Sequence, residues 1–325
     1  MNDVDTPEPR LVRTGLGLVV GYYEFGLPAG RPVLALHGTP ASGAGFACAH
    51  AAAAARGIRL VAPDRPGIGY SDCAASTRGR TVADSVPELF AFADSLDLES
   101  FGLLGYSGGG PYALAAAHAD PARVRAVALV ASAGEVGGGA TLRDYELADR
   151  LLSWAAVHAP PLARVAVAIS VEAARRVPSL ALRFAEADLA PADRDVLARN
   201  FSSPRAALRL FTQAFLRSGA GVVDDYAALA RPWGFAVEEV AVPVGCWHGT
   251  LDSLVPLRHS EQLVARLPQA RLVRWPGEGH LAIIERGGEV LDGLLELSRR
   301  ERDSPGRRDR FGADDACASG EMGAR

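Results

Sequence analysis

The sequence predicts an α/β fold with a mostly parallel central sheet flanked by helices and with one long helical insertion. Two observations favour this fold class. Short aliphatic and β-branched runs alternate with longer helical patterns along most of the chain, as they do in βαβ units. Only helical patterns occur in residues 135–234, after which the alternation resumes. We therefore assign residues 11–134 and 235–300 to one α/β core and residues 135–234 to an inserted all-helical cap.

The first part of the chain alternates predicted strands with predicted helices. Two segments rich in Val, Tyr and Phe flank Gly15–Gly17 and predict an opening antiparallel pair. Further strands are predicted where apolar runs lead into turns, and helices where apolar residues recur at helical spacing. The predicted strands are Leu11–Arg13, Leu18–Phe25, Pro32–His37, Arg59–Ala62, Phe101–Leu104 and Val124–Val130. The predicted helices are Gly45–Ala55, Thr81–Leu96 and Pro111–His118.

Proline and glycine separate the helices predicted within the insertion. These helices are Leu142–Ala156, Leu162–Arg176, Pro191–Asn200, Pro204–Arg217 and Val222–Leu229. The alternation then resumes with the strands Pro243–Trp247 and Arg271–Arg274 and with helices near His259–Leu267 and at Leu281–Leu297. Residues 301–325 are polar, charged and poor in apolar side chains, so we expect a disordered tail there.

The composition excludes several classes of function. The 325-residue chain is 49% hydrophobic and 22% charged, with a net charge of only −4, which is typical of a globular protein and excludes a general nucleic-acid binder. All 34 basic residues are arginine. A lysine-dependent P-loop and a Schiff-base lysine for pyridoxal phosphate are therefore excluded.

The cysteines and the apolar runs favour a cytoplasmic protein without metal or cofactor. The four cysteines are scattered and include no CxxC pair, which argues against a zinc cluster or a disulfide framework. No secretory signal is visible at the N-terminus, and no apolar run reaches the roughly 18 residues of a membrane span. We therefore expect no nucleic-acid partner, no membrane partner, no cofactor and no metal ion.

The pentapeptide Gly105-Tyr106-Ser107-Gly108-Gly109 is the strongest chemical signal in the sequence. It lies between a predicted strand and a predicted helix, which is the context of a nucleophile elbow. The glycines permit a tight, strained turn, and the N-terminus of the following helix directs N–H groups at an oxyanion. We therefore predict that Ser107 is a nucleophile. Ser71 lies in a similar stretch that lacks the second glycine, and we expect it in a surface loop.

A serine hydroxyl needs a base, and that base needs an acid to orient it. Of the seven histidines, only His280 lies in a glycine-flanked loop after the last predicted strand. His37 and His248 end apolar strands and are alternatives that we expect to stabilise turns by hydrogen bonds. Asp252 follows the penultimate strand and is the candidate acid, and Glu278 is a rival because of its proximity to the histidine.

At this point the chain resembles the α/β-hydrolase-fold family with a helical cap. The blocks that carry the resemblance are His37-Gly38-Thr39-Pro40, Asp64-Arg65-Pro66-Gly67-Ile68-Gly69-Tyr70-Ser71, the serine pentapeptide and the Asp252/His280 pair. The order serine, aspartate, histidine matches that family. The resemblance implies that Ser107 is the nucleophile, His280 the general base and Asp252 its orienting acid. It also implies an oxyanion hole from the backbone N–H groups of Thr39 and Gly108, with the second block bracing the neighbouring loops.

The resemblance implies a serine hydrolase that cleaves a small-molecule ester, lactone, thioester or amide through an acyl-enzyme. The serine at position 107 argues against dehalogenases and epoxide hydrolases of this fold, which use aspartate. Lyase or cofactor-free haloperoxidase chemistry on the same triad, and a triad-bearing sensor, remain alternatives. A proline-iminopeptidase-like enzyme is disfavoured because Thr39 stands where that group has glycine. Cap aromatic residues such as Trp154 and Phe215 favour a substrate with an apolar moiety.

Overall fold

The computed structural model describes residues 8–74, 79–177, 179, 187–203, 212–217 and 219–303, and its centre is an eight-stranded sheet. The strands are β1 (Arg10–Arg13), β2 (Val19–Gly26), β3 (Arg31–Leu36), β4 (Ile58–Pro63), β5 (Phe101–Tyr106), β6 (Val124–Val130), β7 (Val244–Gly249) and β8 (Ala270–Trp275). Their order is β1-β2-β4-β3-β5-β6-β7-β8. The first two strands pair antiparallel, and β3 to β8 run parallel. The predicted mostly parallel sheet is confirmed.

Nine α-helices accompany this sheet within the residues described. They are α1 (His50–Ala55), α2 (Val86–Asp94), α3 (Gly110–Ala119), α4 (Leu147–His158), α5 (Pro160–Arg176), α6 (Pro191–Asn200), α7 (Ala220–Leu229), α8 (Arg258–Arg266) and α9 (Ile283–Asp303). The helix predicted at Gly45–Ala55 is instead a 3₁₀ segment, Gly43–Ala49, followed by α1. The helix predicted at Pro204–Arg217 lies mostly outside the described residues.

The strands bury side chains on both faces of the sheet. Along β3, Leu34 and Leu36 pack into one apolar layer, whereas Val33 and Ala35 pack into the other. Helices α2, α3 and α8 cover the first layer, and α1 and α9 cover the second. Successive side chains of a strand point to opposite faces, so a strand covered on both sides needs a continuous apolar run. This is why compact runs, and not alternating ones, marked these strands in the sequence.

Helices α4 to α7 lie between β6 and β7, where the sequence predicts the insertion. Three of them pack together through small side chains, which are Ala156, Ala163, Val167, Val223 and Ala227. Within the described part of the insertion, the only β pairing is an isolated bridge between Val136 and Ala140. At the other end of the chain, α9 continues to Asp303, and the rest of the predicted tail lies outside the described residues. None of the helices described is long and apolar enough to cross a membrane.

A buried ion pair joins the insertion to the core. Asp225 on α7 and Arg65 in the turn after β4 are both buried, and Arg65 Nη2 lies 2.5 Å from Asp225 Oδ2. The Thr39 and Tyr112 hydroxyls also donate to Asp225, each over 2.9 Å. The same Nη2 donates to the Gly38 carbonyl oxygen, 3.0 Å away. A buried charge pair stabilises a fold only when such additional hydrogen bonds complete it, and here they connect the insertion to two core loops.

Replacing Asp225 with alanine should destabilise the protein strongly, because it leaves the Arg65 guanidinium buried without its partner. We expect the free energy of unfolding to fall by about 3–5 kcal/mol, measured by urea denaturation. Asp224→Ala is the matched control, since its carboxylate pairs across 3.0 Å with Arg164, whose side chain is 42% exposed. Because this pair is partly exposed, with 19% of the Asp224 side chain accessible, its loss should cost at most about 1 kcal/mol. Equal losses in the two variants would contradict the importance of the buried pair.

Candidate active site

The predicted site residues meet at one edge of the sheet. Parallel strands place their carboxyl ends along the same edge, where ligands bind in open α/β sheets. Here β3 leads to Thr39, β5 to Ser107, β7 to Asp252 and β8 to His280. Three of these residues, together with Gly108, line a cavity of about 170 Å³, and Asp252 lies behind His280. The cavity is several times the roughly 30 Å³ that one water molecule occupies in the liquid.

Ser107 occupies a strained turn between β5 and α3. Its φ angle is +52°, in the left-handed region that is uncommon for residues other than glycine. The neighbouring glycines are required by contact. A Cβ at Gly105 would lie 2.7 Å from the Cα of Gly110, and one at Gly109 would lie 2.1 Å from the carbonyl oxygen of Leu36. The close packing of strand and helix thus forces the serine into the cavity.

His280 and Asp252 form a buried hydrogen-bonded pair. The Nδ1 atom of His280 lies 2.8 Å from Oδ2 of Asp252. The other carboxylate oxygen accepts the backbone N–H groups of Leu254 and Val255, at 3.0 and 2.9 Å. These contacts make Nδ1 a donor, so Nε2 of His280 is the basic nitrogen. Among the described residues, no hydrogen bond joins Nε2 to the Ser107 hydroxyl. Such catalytic bonds often shorten only when substrate is bound.

The electrostatic environment favours the ionised form of both partners. Burial lowers the pKa of His280, but the charge and the hydrogen bond of Asp252 outweigh burial, and Asp193 and Asp149 add to them. The net result is a His280 pKa above its ordinary value. Burial likewise opposes ionisation of Asp252, yet His280 and His248 hold the pKa of that carboxyl well below its ordinary range. An imidazolium formed next to Asp252 is therefore stabilised.

His248 supports the same carboxylate from a second direction. Its Nε2 lies 3.2 Å from Asp252 Oδ2 and 2.7 Å from the carbonyl oxygen of Val255. Both neighbours are acceptors, so Nε2 carries the proton and Nδ1 accepts from the Ser260 hydroxyl at 2.7 Å. His248 is a buried hydrogen-bonding residue here. Glu278, the rival acid by proximity, accepts from the guanidinium of Arg286 at 3.1 Å.

Two other side chains singled out in the sequence hold turns together. His37 donates from Nδ1 to the next carbonyl oxygen at 2.8 Å and accepts the Arg65 backbone N–H at Nε2 over 3.1 Å. The expectation of a surface loop at Ser71 is wrong, because this serine is only 1% exposed. Its hydroxyl accepts from Gly21 N and donates to the Asp64 carbonyl, at 3.0 and 2.7 Å. Both of its hydrogen bonds stabilise the turn after β4.

Thr39 and Gly108, the expected oxyanion-hole residues, are neighbours at the cavity. A Cβ on Gly108 would lie 2.8 Å from Thr39 Oγ1, so only glycine leaves this approach free. The Thr39 hydroxyl accepts from Arg65 Nη2 at 2.8 Å and donates to Asp225. The buried ion pair thereby fixes the position of Thr39 relative to the serine turn.

Asp193 is a site residue that sequence analysis missed. It lies on α6 of the insertion and is fully buried. Its carboxylate accepts the backbone N–H groups of His280 and Leu281, at 3.0 and 2.7 Å. A Cβ on Gly279 would lie 2.3 Å from Asp193 Oδ2, so this glycine makes room for the carboxylate. Aspartates are common near the start of a helix. The sequence position of Asp193 therefore gave no indication that it contacts a histidine 87 residues away.

The insertion also lines the cavity with polar side chains that no motif indicated. They are Tyr145, Asp149, Ser153 and Tyr226. The aromatic lining therefore consists of tyrosines, whereas Trp154 is 56% exposed and lies outside the lining. No group of three or more His, Cys, Asp or Glu side chains in the described ranges is arranged to hold a metal ion.

Asp193→Ala should destabilise the turn that carries His280, because two buried N–H groups lose their acceptor. Each unsatisfied group costs about 1–3 kcal/mol, so we expect a loss of at least about 2 kcal/mol in urea denaturation. The matched control is Asp195→Ala, an exposed position on the same helix. That change should stay within about 0.5 kcal/mol of the wild type. A variant at position 193 that is as stable as the control would refute this account.

Comparison with known proteins identifies the family and the fold of the chain. The family model for the alpha/beta hydrolase fold matches residues 31–287. A 2-hydroxymuconate semialdehyde hydrolase from Pseudomonas putida is 29% identical over 280 residues, covering 85% of this chain and 89% of that protein. Among solved structures, an esterase from Exiguobacterium antarcticum superposes with a TM-score of 0.65 at 18% identity, covering 90% of this chain and 100% of the other.

The enol-lactonase from Burkholderia xenovorans gives the same TM-score of 0.65 at 17% identity, over 89% of this chain and 99% of the other. At these low identities, the two structural similarities show a shared fold and nothing further. The family match extends over most of the chain, and its range contains Ser107, Asp252 and His280. The protein belongs to the alpha/beta hydrolase fold family and is an enzyme of the hydrolase type.

Proposed function

We propose that the enzyme cleaves a small-molecule ester, lactone, thioester or amide through a covalent acyl-enzyme at Ser107. The observation that carries this proposal is the 2.8 Å contact between His280 Nδ1 and Asp252 Oδ2 beside the strained serine turn. It leaves Nε2 of the imidazole as the base in the cavity that the serine lines. A serine, a base and an orienting acid are the parts that acyl transfer requires.

In the first half-reaction, His280 Nε2 takes the proton of the Ser107 hydroxyl while Oγ attacks the carbonyl carbon. The carbonyl oxygen becomes an oxyanion, which the backbone N–H groups of Thr39 and Gly108 stabilise. Each such donor is worth about 3 kcal/mol in comparable sites. The tetrahedral intermediate then collapses, and the imidazolium gives its proton to the departing alcohol, thiol or amine.

In the second half-reaction, a water molecule replaces the leaving group. His280 accepts a proton from that water as its oxygen attacks the acyl carbon. Collapse of the second intermediate releases the acid and returns the proton to Ser107 Oγ. In both halves the ionised Asp252 stabilises the transient imidazolium and keeps the ring in one tautomer.

The substrate is a small molecule with an apolar portion, and the insertion acts as a cap that selects it. Leu142 and Leu229 of the insertion, with Leu254 and Val255 of the core, give the cavity apolar lining. Such pockets bind apolar groups and orient them with a few polar contacts. Esterase, lactonase and semialdehyde hydrolase names among similar proteins support a small-molecule substrate.

A fluorophosphonate probe should label the protein once, at Ser107, and abolish ester hydrolysis. The reason is that, among the described serines, only this one combines the strained turn with a base in the same cavity. Peptide mapping by mass spectrometry locates the label. Ser107→Ala should prevent labelling, whereas Ser71→Ala is the control that retains it, because that hydroxyl is buried in turn contacts. A label on any other serine would overturn the assignment.

Asp252→Asn should lower kcat by up to about 10⁴-fold, because it removes the charge that stabilises the imidazolium and favours the wrong tautomer. The pH profile should also change. In the wild type, kcat/KM is lost as pH falls through the raised pKa of His280, since a protonated imidazole accepts no proton. Without the neighbouring anion that pKa falls, so the acidic limb moves to lower pH.

Glu278→Gln is the control for this experiment, since its carboxylate contacts Arg286. Profiles measured between about pH 5 and 9 bracket a histidine titration. We expect the control to match the wild type in rate and in the position of the acidic limb. If the control carries the defect and Asp252→Asn does not, the acid is Glu278.

A further inference from the structure

One wall of the Ser107 cavity places a carboxylate between tyrosines. Asp149 lies on α4, Tyr226 on α7 and Tyr145 just before α4, and all three line the cavity. The hydroxyl of Tyr226 donates to Asp149 Oδ1 at 2.7 Å. The other carboxylate oxygen, Oδ2, has no hydrogen-bond partner within the part of the chain that the structure describes. An acceptor with a formal charge is thus available to a molecule in the cavity.

Among the described residues, no arginine forms an ion pair with this carboxylate. No arginine is among the described residues that line the cavity, and the sequence contains no lysine. Burial raises the pKa of Asp149, and the charge of Asp188 adds to that effect. The hydrogen bond from Tyr226 and the nearby His280 oppose it without cancelling it. Asp149 is therefore a partly desolvated carboxylate that forms no ion pair within the described residues, and a cationic ligand would favour its ionised form.

The chemistry of this wall selects among possible ligand groups. An anionic group would be repelled by Asp149, with no arginine among the described lining residues to compensate. A neutral apolar group would desolvate the carboxylate further without pairing it, which is unfavourable. A cationic nitrogen would pair with the carboxylate and could contact the tyrosine rings, and aromatic side chains attract cations through their faces.

We propose that the substrate carries a cationic nitrogen, which Asp149 binds while the scissile carbonyl lies at Ser107. The inference rests on the proposed acyl transfer for the carbonyl half of the molecule. The assignment of a cationic nitrogen to the rest of the substrate depends only on Asp149, Tyr145 and Tyr226. The ligand class is an ester or amide with an ammonium group in its acyl or its leaving portion.

Matched pairs of esters test this directly in the wild-type enzyme. Butyrylcholine and 3,3-dimethylbutyl butyrate differ only by a charged nitrogen in the alcohol portion. The p-nitrophenyl esters of 5-(trimethylammonio)pentanoate and 6,6-dimethylheptanoate differ in the same way in the acyl portion. We expect kcat/KM for the cationic member to exceed that of its neutral isostere at least about tenfold in one pair. Equal or reversed preference in both pairs overturns the proposal.

Asp149→Asn then assigns the preference to this carboxylate. The amide oxygen still accepts from Tyr226, so the change removes charge and little else. We expect the ratio of kcat/KM values, cationic over neutral, to fall about 10- to 100-fold. The control is Glu172→Gln on α5, an exposed carboxylate paired with Arg176, which should leave the ratio unchanged. A ratio that survives in Asp149→Asn also overturns the proposal.

A binding measurement separates this inference from the hydrolytic mechanism. Calorimetric titration of the wild type with choline and with 3,3-dimethylbutan-1-ol needs no turnover. Tighter binding of choline, lost in Asp149→Asn, supports the cation site even if no ester is cleaved and no probe labels Ser107. That combination would reject the proposed acyl transfer alone. Cleavage of the neutral esters with no preference for choline would reject the cation site alone.

Discussion

The arrangement of the active site depends on one buried ion pair, Arg65 with Asp225. Two charges removed from water are stable only when their remaining hydrogen-bonding groups are also satisfied. Thr39, Tyr112 and the Gly38 carbonyl supply those partners. This ion pair and its hydrogen bonds therefore connect three elements, which are the loop beside the serine, a core helix and an insertion helix. The hydrogen bonds of the Thr39 hydroxyl to this ion pair, together with the packing of the loop, hold Thr39 next to Gly108.

The parallel sheet supplies the second constraint. Because β3, β5, β7 and β8 end at one edge, residues far apart in sequence converge without any local motif. Steric contacts then determine the backbone conformation at Ser107. Glycines at 105 and 109 allow the helix to pack closely on the strand, and that closeness holds Ser107 at a positive φ. The free-energy cost of the strained backbone at Ser107 is thus offset by the packing of two apolar layers on the sheet.

Sequence patterns predicted the features that are local or that follow strand order. The strand–turn–helix context identified the turn at Ser107, and apolar runs identified the strands. Interactions between insertion helices and core loops were not accessible. Asp193 and Asp225 sit on insertion helices whose periodicity indicates a buried face but not the partner that the face meets. Ser71 was misplaced because a glycine-rich turn resembles a surface loop in sequence, and only the packing of β2 against this turn shows its burial.

The insertion does more than cover the cavity. Its Asp193 accepts the backbone N–H of His280 and its Asp225 accepts from the Thr39 hydroxyl, so side chains of the insertion hold two loops of the Ser107 cavity. Because these hydrogen bonds join the insertion to the two loops, a shift of α6 or α7 relative to the core would move His280 or Thr39 as well as the cavity wall. Displacements near 1 Å are enough to lower rates about 100-fold in well-oriented sites. Under the proposed acyl transfer, a changed insertion would therefore alter substrate selection and chemistry together through these two carboxylates.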